Sequence, residues 1–229
     1  MAVVLDGSSQ YLSGASTLLT NEPIDMVIYG YCGSSTAYQV ALNLGNGGGA
    51  SGNYDVVWAG SAGGDPISCL KQTDGAVNGQ ADTSSGYSTN TWFLGASTFI
   101  SNTSRAAFIN GGSKGTNTTS ITDPTPDNIA IGASLNSSAS VYFNGRLAEA
   151  YVISANMTDG QHGTAGKGVS PFWLVPASKI RGWYHCFNNP NNSVTTTGNY
   201  PHLTATGSPT YTSHPANVMY PRINGVIGL

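Results

Sequence analysis

Apolar positions along the chain fall into short runs of β-branched and aromatic residues, separated by Gly, Pro, Asn and Ser. Such punctuation predicts strands and turns. The runs are AVVL at 2–5, MVIYGYC at 26–32, AYQVALNL at 37–44, YDVVWA at 54–59, TWFLGASTFI at 91–100, RAAFIN at 105–110, NIAIGA at 128–133, LAEAYVISA at 147–155 and IRGWYHCF at 180–187. Several are apolar on both alternations, which predicts two sheets packed face to face rather than one solvated sheet. The expectation is an all-β sandwich.

Asn-Gly pairs supply the positive φ values that type I′ turns need, and those at Asn110-Gly111 and Asn144-Gly145 fall where hairpins should turn. The stretch TDGQHGTAGKG at 158–168 opens with a good N-cap in Thr158, but its glycines predict no more than one turn of helix. SPFWLVPAS at 170–178, with Pro near both ends, reads as an ordered connector. Pro215 and Pro221 exclude a central strand beyond Tyr211, so 213–229 reads as an extended arm after a sandwich spanning 1–212.

Composition narrows the function classes. Only 8% of the 229 residues are charged, so the surface is built from Ser, Thr, Asn, Gln and Gly. The net charge is −3 and the eight Lys and Arg are scattered, which excludes the basic footprint of a nucleic-acid groove. No apolar run is long enough for a membrane helix, and the opening MAVVLDGSSQYLS lacks the basic and apolar regions of a secretion signal. Cys32, Cys69 and Cys186 show no zinc-site spacing and read as buried thiols; a Cys32–Cys69 bridge stays open.

Four segments carry a resemblance: LDGSSQYLS at 5–13 as an opening strand pair, SRAAFINGGSKGTNTTS at 104–120 as a hairpin, DNIAIGAS at 127–134 as the next strand, and YFNGRLAEAYVIS at 142–154 as a closing strand pair. In this order they resemble the laminin-G-like or pentraxin-like concanavalin A-type jelly rolls of bacteriophage virion proteins. The pieces at 168–187 and 203–221 are similar to the ending of phage-borne members. The resemblance implies a core at 1–156, with closing elements at 157–212 and a helix degraded at 157–168. The residues themselves agree: Asn144-Gly145 is expected to set the register that places Ala148, Ala150 and Val152 on one face.

Candidate chemistry is thin. The chain has two glutamates, Glu22 and Glu149, neither paired with a second acid as glycoside hydrolysis requires. The resemblance implies that Glu149 is an acid of structural type, hydrogen-bonded near the sheet edge. GGSKG at 111–115 matches a nucleophile elbow only formally, since a hairpin and not a helix follows. Family members often hold Ca²⁺ on one rim, yet the loop aspartates here form no D-x-D cluster, so no cofactor is expected. Tyr54, Trp58 and Tyr87, beside glycine-rich loops, are the candidate platform for sugar rings. Against that, Trp58, Trp92, Trp173 and Trp183 lie in or beside apolar runs and read as sandwich core.

The leading expectation is therefore a non-enzymatic virion protein, made in the host cytoplasm, that decorates or cements a phage capsid. Its partners would be the major capsid protein and further copies of itself, a trimer being the simplest cyclic form. The arm residues His214, Val218, Met219, Tyr220, Arg222 and Ile223 would supply contacts. The alternative is a lectin-like adhesin on tail, fibre or head that binds glycans, and the third reading is a glycoside hydrolase.

Overall fold

The computed structural model describes residues 2–15, 21–35, 38–46, 53–58, 64–73, 77–186 and 202–213. Its strands are β1 (Ala2–Asp6), β2 (Tyr11–Ala15), β3 (Ile24–Cys32), β4 (Val40–Gly45), β5 (Asn53–Trp58), β6 (Pro66–Thr73), β7 (Val77–Gly86), β8 (Trp92–Ser101), β9 (Ser104–Ile109), β10 (Gly112–Asn117), β11 (Asn128–Ile131), β12 (Ser134–Leu135), β13 (Ala139–Ser140), β14 (Asn144–Ile153), β15 (Ile180–His185), β16 (Thr204–Thr206) and β17 (Thr210–Thr212). A short helix, α1 (Asp159–Ala165), and two 3₁₀ turns at Pro171–Trp173 and Ala177–Lys179 lie between β14 and β15.

All but β12 and β13, which pair with each other, form the two sheets expected of a sandwich. The first runs β10-β9-β8-β3-β14-β1-β17, and the second β16-β2-β11-β4-β5-β6-β7. Every pairing is antiparallel. Strand β14 serves two partners on one side: its first half pairs with β1 and its second half with β15. Between the sheets lies a core that includes Leu5, Met26, Ile28, Leu42, Phe99, Phe143, Leu147, Val152 and Tyr184.

Asp6 turns the chain between the sheets. Its Oδ1 accepts the backbone N–H groups of Ser8, Ser9 and Gln10 at 2.9–3.1 Å, while Gly7 adopts φ +73°. These bonds, that from Ser9 foremost, hold the Asp6 carboxyl well below the usual range. The strands it joins, β1 and β2, belong to different sheets and are not the paired opening strands that the resemblance implies.

Of the two expected hairpin turns, one is present. Asn110 and Gly111, at φ 48° and 74°, turn β9 into β10. Asn144-Gly145 instead lies inside β14, with Gly145 opposite both Cys32 and Leu5. Here glycine answers a close approach: a Cβ would stand 2.1 Å from the Tyr31 carbonyl oxygen. A bulge between Leu147 and Glu149 then sets the faces. Leu147, Ala150 and Val152 share the core face, so Leu147 stands where Ala148 was expected.

Segment 157–168 holds more helix than its glycines predict. Thr158 and Gln161 form a reciprocal capping box, and buried His162 and Ala165 dock the seven-residue helix onto the first sheet. The three described cysteines are buried free thiols.

Candidate functional site

The outer face of the first sheet, turned away from the sandwich core, gathers most of the unusual side chains. Strand alternation puts them there. On β3, Met26, Ile28 and Cys32 enter the core, which leaves Asp25, Val27, Tyr29 and Tyr31 on the opposite face. Neighbouring strands complete rows across the sheet. Arg146, Tyr31 and Trp92 form one row; Glu149, Tyr29 and Leu94 the next, with His185 beside Glu149. Tyr151, Val27 and Ala96 follow, flanked by Trp183, and then Ile153, Asp25 and Thr98.

Residues 155–180 cover the last two rows with a second apolar cluster, which includes Met157, Ala165, Val175 and Ile180. Asp25 pins this cover. Its Oδ2 accepts Thr98 Oγ1–H at 3.0 Å and Met157 N–H at 3.0 Å, and stands 3.2 Å from His162 Nε2. The His162 ring lies flat on Phe108, 4.0 Å between centroids. Further along, Phe172 packs on Trp183 at 5.2 Å and Trp183 stacks on Tyr151 at 5.7 Å.

The first two rows extend beyond the cover. Tyr29, Tyr31, Trp92 and Arg146 are half-buried there. Trp92 stacks on Tyr29 with centroids 5.5 Å apart and planes within 8°, Tyr31 leans against Trp92 at 5.5 Å, and the Arg146 guanidinium sits 4.7 Å over the Tyr31 ring. The result is a strip of aromatic rings with one cation at its end.

Where strip meets cover, a small recess of about 20 Å³, room for one water, is lined by Tyr29, Leu94, Glu149, Tyr151, Ala165 and Pro171 among others. Glu149 is 1% exposed. Burial pushes its carboxyl up to about 7, against the opposing hydrogen bonds from Tyr151 and Trp183. Tyr151 donates its hydroxyl to Glu149 Oε2 and lies 2.9 Å from Ser170 Oγ; His185 Nδ1 is 3.8 Å from Glu149 Oε1. Burial, with the Glu149 charge behind it, also raises the Tyr29 phenol. Such a site offers flat faces for stacking beside a buried, already hydrogen-bonded carboxyl.

The platform residues expected from sequence lie elsewhere. Tyr54 is fully buried between the sheets, edge-on to Phe99 at 4.7 Å with Lys71 Nζ 5.6 Å from its ring. Tyr87 is 5% exposed, stacked on Phe93, and its hydroxyl donates to the Ser34 carbonyl. Neither offers a face to a sugar, because each ring is already spent on the core. Trp58 pairs with Val40 through its backbone, and its side chain lies outside the described residues. So do His214, Val218, Met219, Tyr220, Arg222 and Ile223.

The reading of Trp92, Trp173 and Trp183 as sandwich core is also corrected. Trp92 and Trp183 belong to the outer face, and Trp173 is 57% exposed. Glu149 lies inside the sheet, flanked by β3 and β15, rather than at its edge. The sequence reading missed Tyr29 and Tyr31, although their alternation with core-facing Ile28 and Cys32 in MVIYGYC marks them as outward pointing.

A second polar cluster occupies one rim. The Lys71 ammonium, fully buried, meets Glu22 Oε1 at 3.0 Å, Asp123 Oδ1 at 2.5 Å and Asn102 Oδ1 at 3.0 Å. Among the described residues no three His, Cys, Asp or Glu side chains converge as metal ligands.

No family model matches the sequence, and neither does any curated protein. Solved structures do match the fold. A putative carbohydrate-binding protein from Bacteroides ovatus superposes with TM-score 0.64 at 16% identity, over 95% of this chain and 61% of that one. A heptameric SAP-like pentraxin from Limulus polyphemus gives 0.58 at 12% identity over 72% and 81% of the two chains. Domain 4 of the arabinanase AbnA from Geobacillus stearothermophilus, in complex with arabinotriose, gives 0.57 at 16% identity over 72% and 76%. The fold is a concanavalin A-like jelly roll. Within this jelly roll, the aromatic strip and its recess lie on the outer face of the first sheet, and the Lys71 cluster lies apart from them at a rim where Lys71 of the second sheet meets loops of the first.

Proposed function

We propose that this jelly roll is a non-catalytic carbohydrate-binding domain, and that the strip of Tyr29, Tyr31 and Trp92 is its sugar platform. The observation that carries the reading is a set of partly accessible, mutually stacked rings with a guanidinium at one end, a combination suited to the apolar face and hydroxyl edge of a pyranose. Two of the solved structures above are named for carbohydrate binding or hold an arabinotriose, which supports the same class.

Catalysis finds little support at this face. Its two buried carboxyls, Asp25 and Glu149, lie in rows four residues apart along β3, about 13 Å of extended strand. Paired glycosidase acids stand no more than about 9.5 Å apart. Asp25 is moreover committed to Thr98, Met157 and His162.

The test is glycan-array screening followed by calorimetry on the wild type and Trp92→Ala. Binding to at least one glycan, weakened about tenfold or more by the substitution, is expected, since stacked aromatic anchors dominate such contacts. A protein that binds no glycan, or whose affinity survives loss of Trp92, overturns the proposal.

Display on a virion is a second, separate reading. It is supported by the similarity of 168–187 and 203–221 to the endings of phage-borne members, and capsid cement would be found at hundreds of copies per particle.

A further inference from the structure

We infer that the strip takes an acidic sugar, and that the Arg146 guanidinium is the subsite for its carboxylate or sulfate. The inference rests on the glycan-binding reading and names the class of glycan that the strip selects.

Arg146 differs from the comparable cations of the chain. Among the described residues, the others that are buried or half-buried each donate to oxygen: Lys71 to Glu22 and Asp123, Arg105 to Asn117 and the Asn102 and Thr119 carbonyls, and Arg181 to Ser154. The half-buried Arg146 guanidinium has the Tyr31 ring, 4.7 Å away, and no oxygen partner among the described residues. The acid that register brings towards it is already spent. Val4 stands opposite Arg146, and Asp6, two residues on, opposite Asn144. Asp6 Oδ1 accepts three backbone N–H groups, and its Oδ2 accepts the Ser9 hydroxyl at 2.8 Å.

Tyr31 holds this cation without consuming an N–H donor, because the attraction acts through the ring face. The planar fork stays available for parallel bonds to the two oxygens of a carboxylate, or for a sulfate. Arg146, Tyr31 and Trp92 occupy one row on adjacent strands, so about 10 Å separate the cation from the indole. A sugar lying along that row sets its apolar face against Trp92 and its acidic substituent at Arg146. A neutral sugar leaves the charge without a counter-charge, and an amino sugar sets cation against cation.

Calorimetry on two matched pairs decides the matter: trigalacturonic acid against its methyl ester, and an O-sulfated galactobiose against the unsulfated disaccharide. At least one acid is expected to bind about tenfold or more tightly than its neutral counterpart, the scale of hydrogen bonds to charged groups. Arg146→Gln, with its melting temperature as the check on folding, should bring that ratio to near one. In the wild type the ratio should also shrink in roughly 1 M salt, where screening reaches within about 3 Å. Equal affinities within both pairs, or a preference that survives either Arg146→Gln or the salt, overturns the subsite and leaves the platform standing. Absence of binding to every glycan overturns the platform itself, and the subsite with it.

Discussion

Tyr151 donates its hydroxyl to the Glu149 carboxylate two residues behind it on the same face of β14, and Ser170 of the overlying connector meets that hydroxyl from above at 2.9 Å. The carboxyl is thus held by neighbours that cannot give it water. A raised folded pKa means that the native state keeps its proton where the unfolded chain has released it.

The sign of the pH effect follows. Between the ordinary value of 4.5 and the folded value of about 7, the native state binds more protons than the unfolded one, so stability falls as pH rises through this window. The full cost, about 3 kcal/mol, is present above pH 7. Glu149→Gln keeps an acceptor for Tyr151 and cannot ionise. We expect denaturant midpoints of wild type and variant to lie close together at pH 4.5 and the variant to be the more stable at pH 8. A parallel decline in both proteins would assign the effect to other groups.

His162 sits at the centre of the cover, with Nε2 toward Asp25 and Thr98 and its ring on Phe108. Replacing it with Ala removes the stack and leaves the Asp25 carboxyl, 0% exposed, with one fewer donor. A loss of about 3–5 kcal/mol in urea unfolding is expected. Amide exchange should accelerate first over 157–166, because the helix is the element that loses its anchor. Uniform acceleration across both sheets would contradict this account of α1.

Lys71 makes the same argument for the rim. Its ammonium neutralises Glu22, whose carboxyl is nonetheless raised by burial. Lys71→Met preserves the stem along Tyr54 and removes the charge, stranding Glu22 in a site with 5% side-chain exposure. Calorimetric melting should drop by several degrees at pH 7, and the drop should shrink when Glu22→Gln is added. An unchanged melting temperature in the single variant would mean that the cluster contributes nothing.

The central strands were legible because their apolar runs are long. β3, β8, β9 and β14 fall close to the expected segments, and Asn110-Gly111 turns the chain where its positive φ values say it should. Strand β7 escaped notice because it is a sheet edge built almost wholly of polar residues, VNGQADTSSG, where no hydrophobic alternation is needed. The site was harder to read. Sequence marks Tyr54, Tyr87, Tyr29 and Trp92 alike as aromatic, and only the assignment of strand faces separates rings between the sheets from rings outside them. In β14 the bulge at Ala148 breaks that assignment midway, and it decides that Glu149 faces outward.

The Lys71 cluster bears on how the domain meets changing surroundings. Three oxygen atoms from separate loops converge on a positive charge that four methylenes tie to β6. A counter-ion supplied by the polypeptide itself is not withdrawn by chelators or diluted away. The loops it gathers are cross-linked through one side chain carried on β6, so a change in any one of them is felt by the other two.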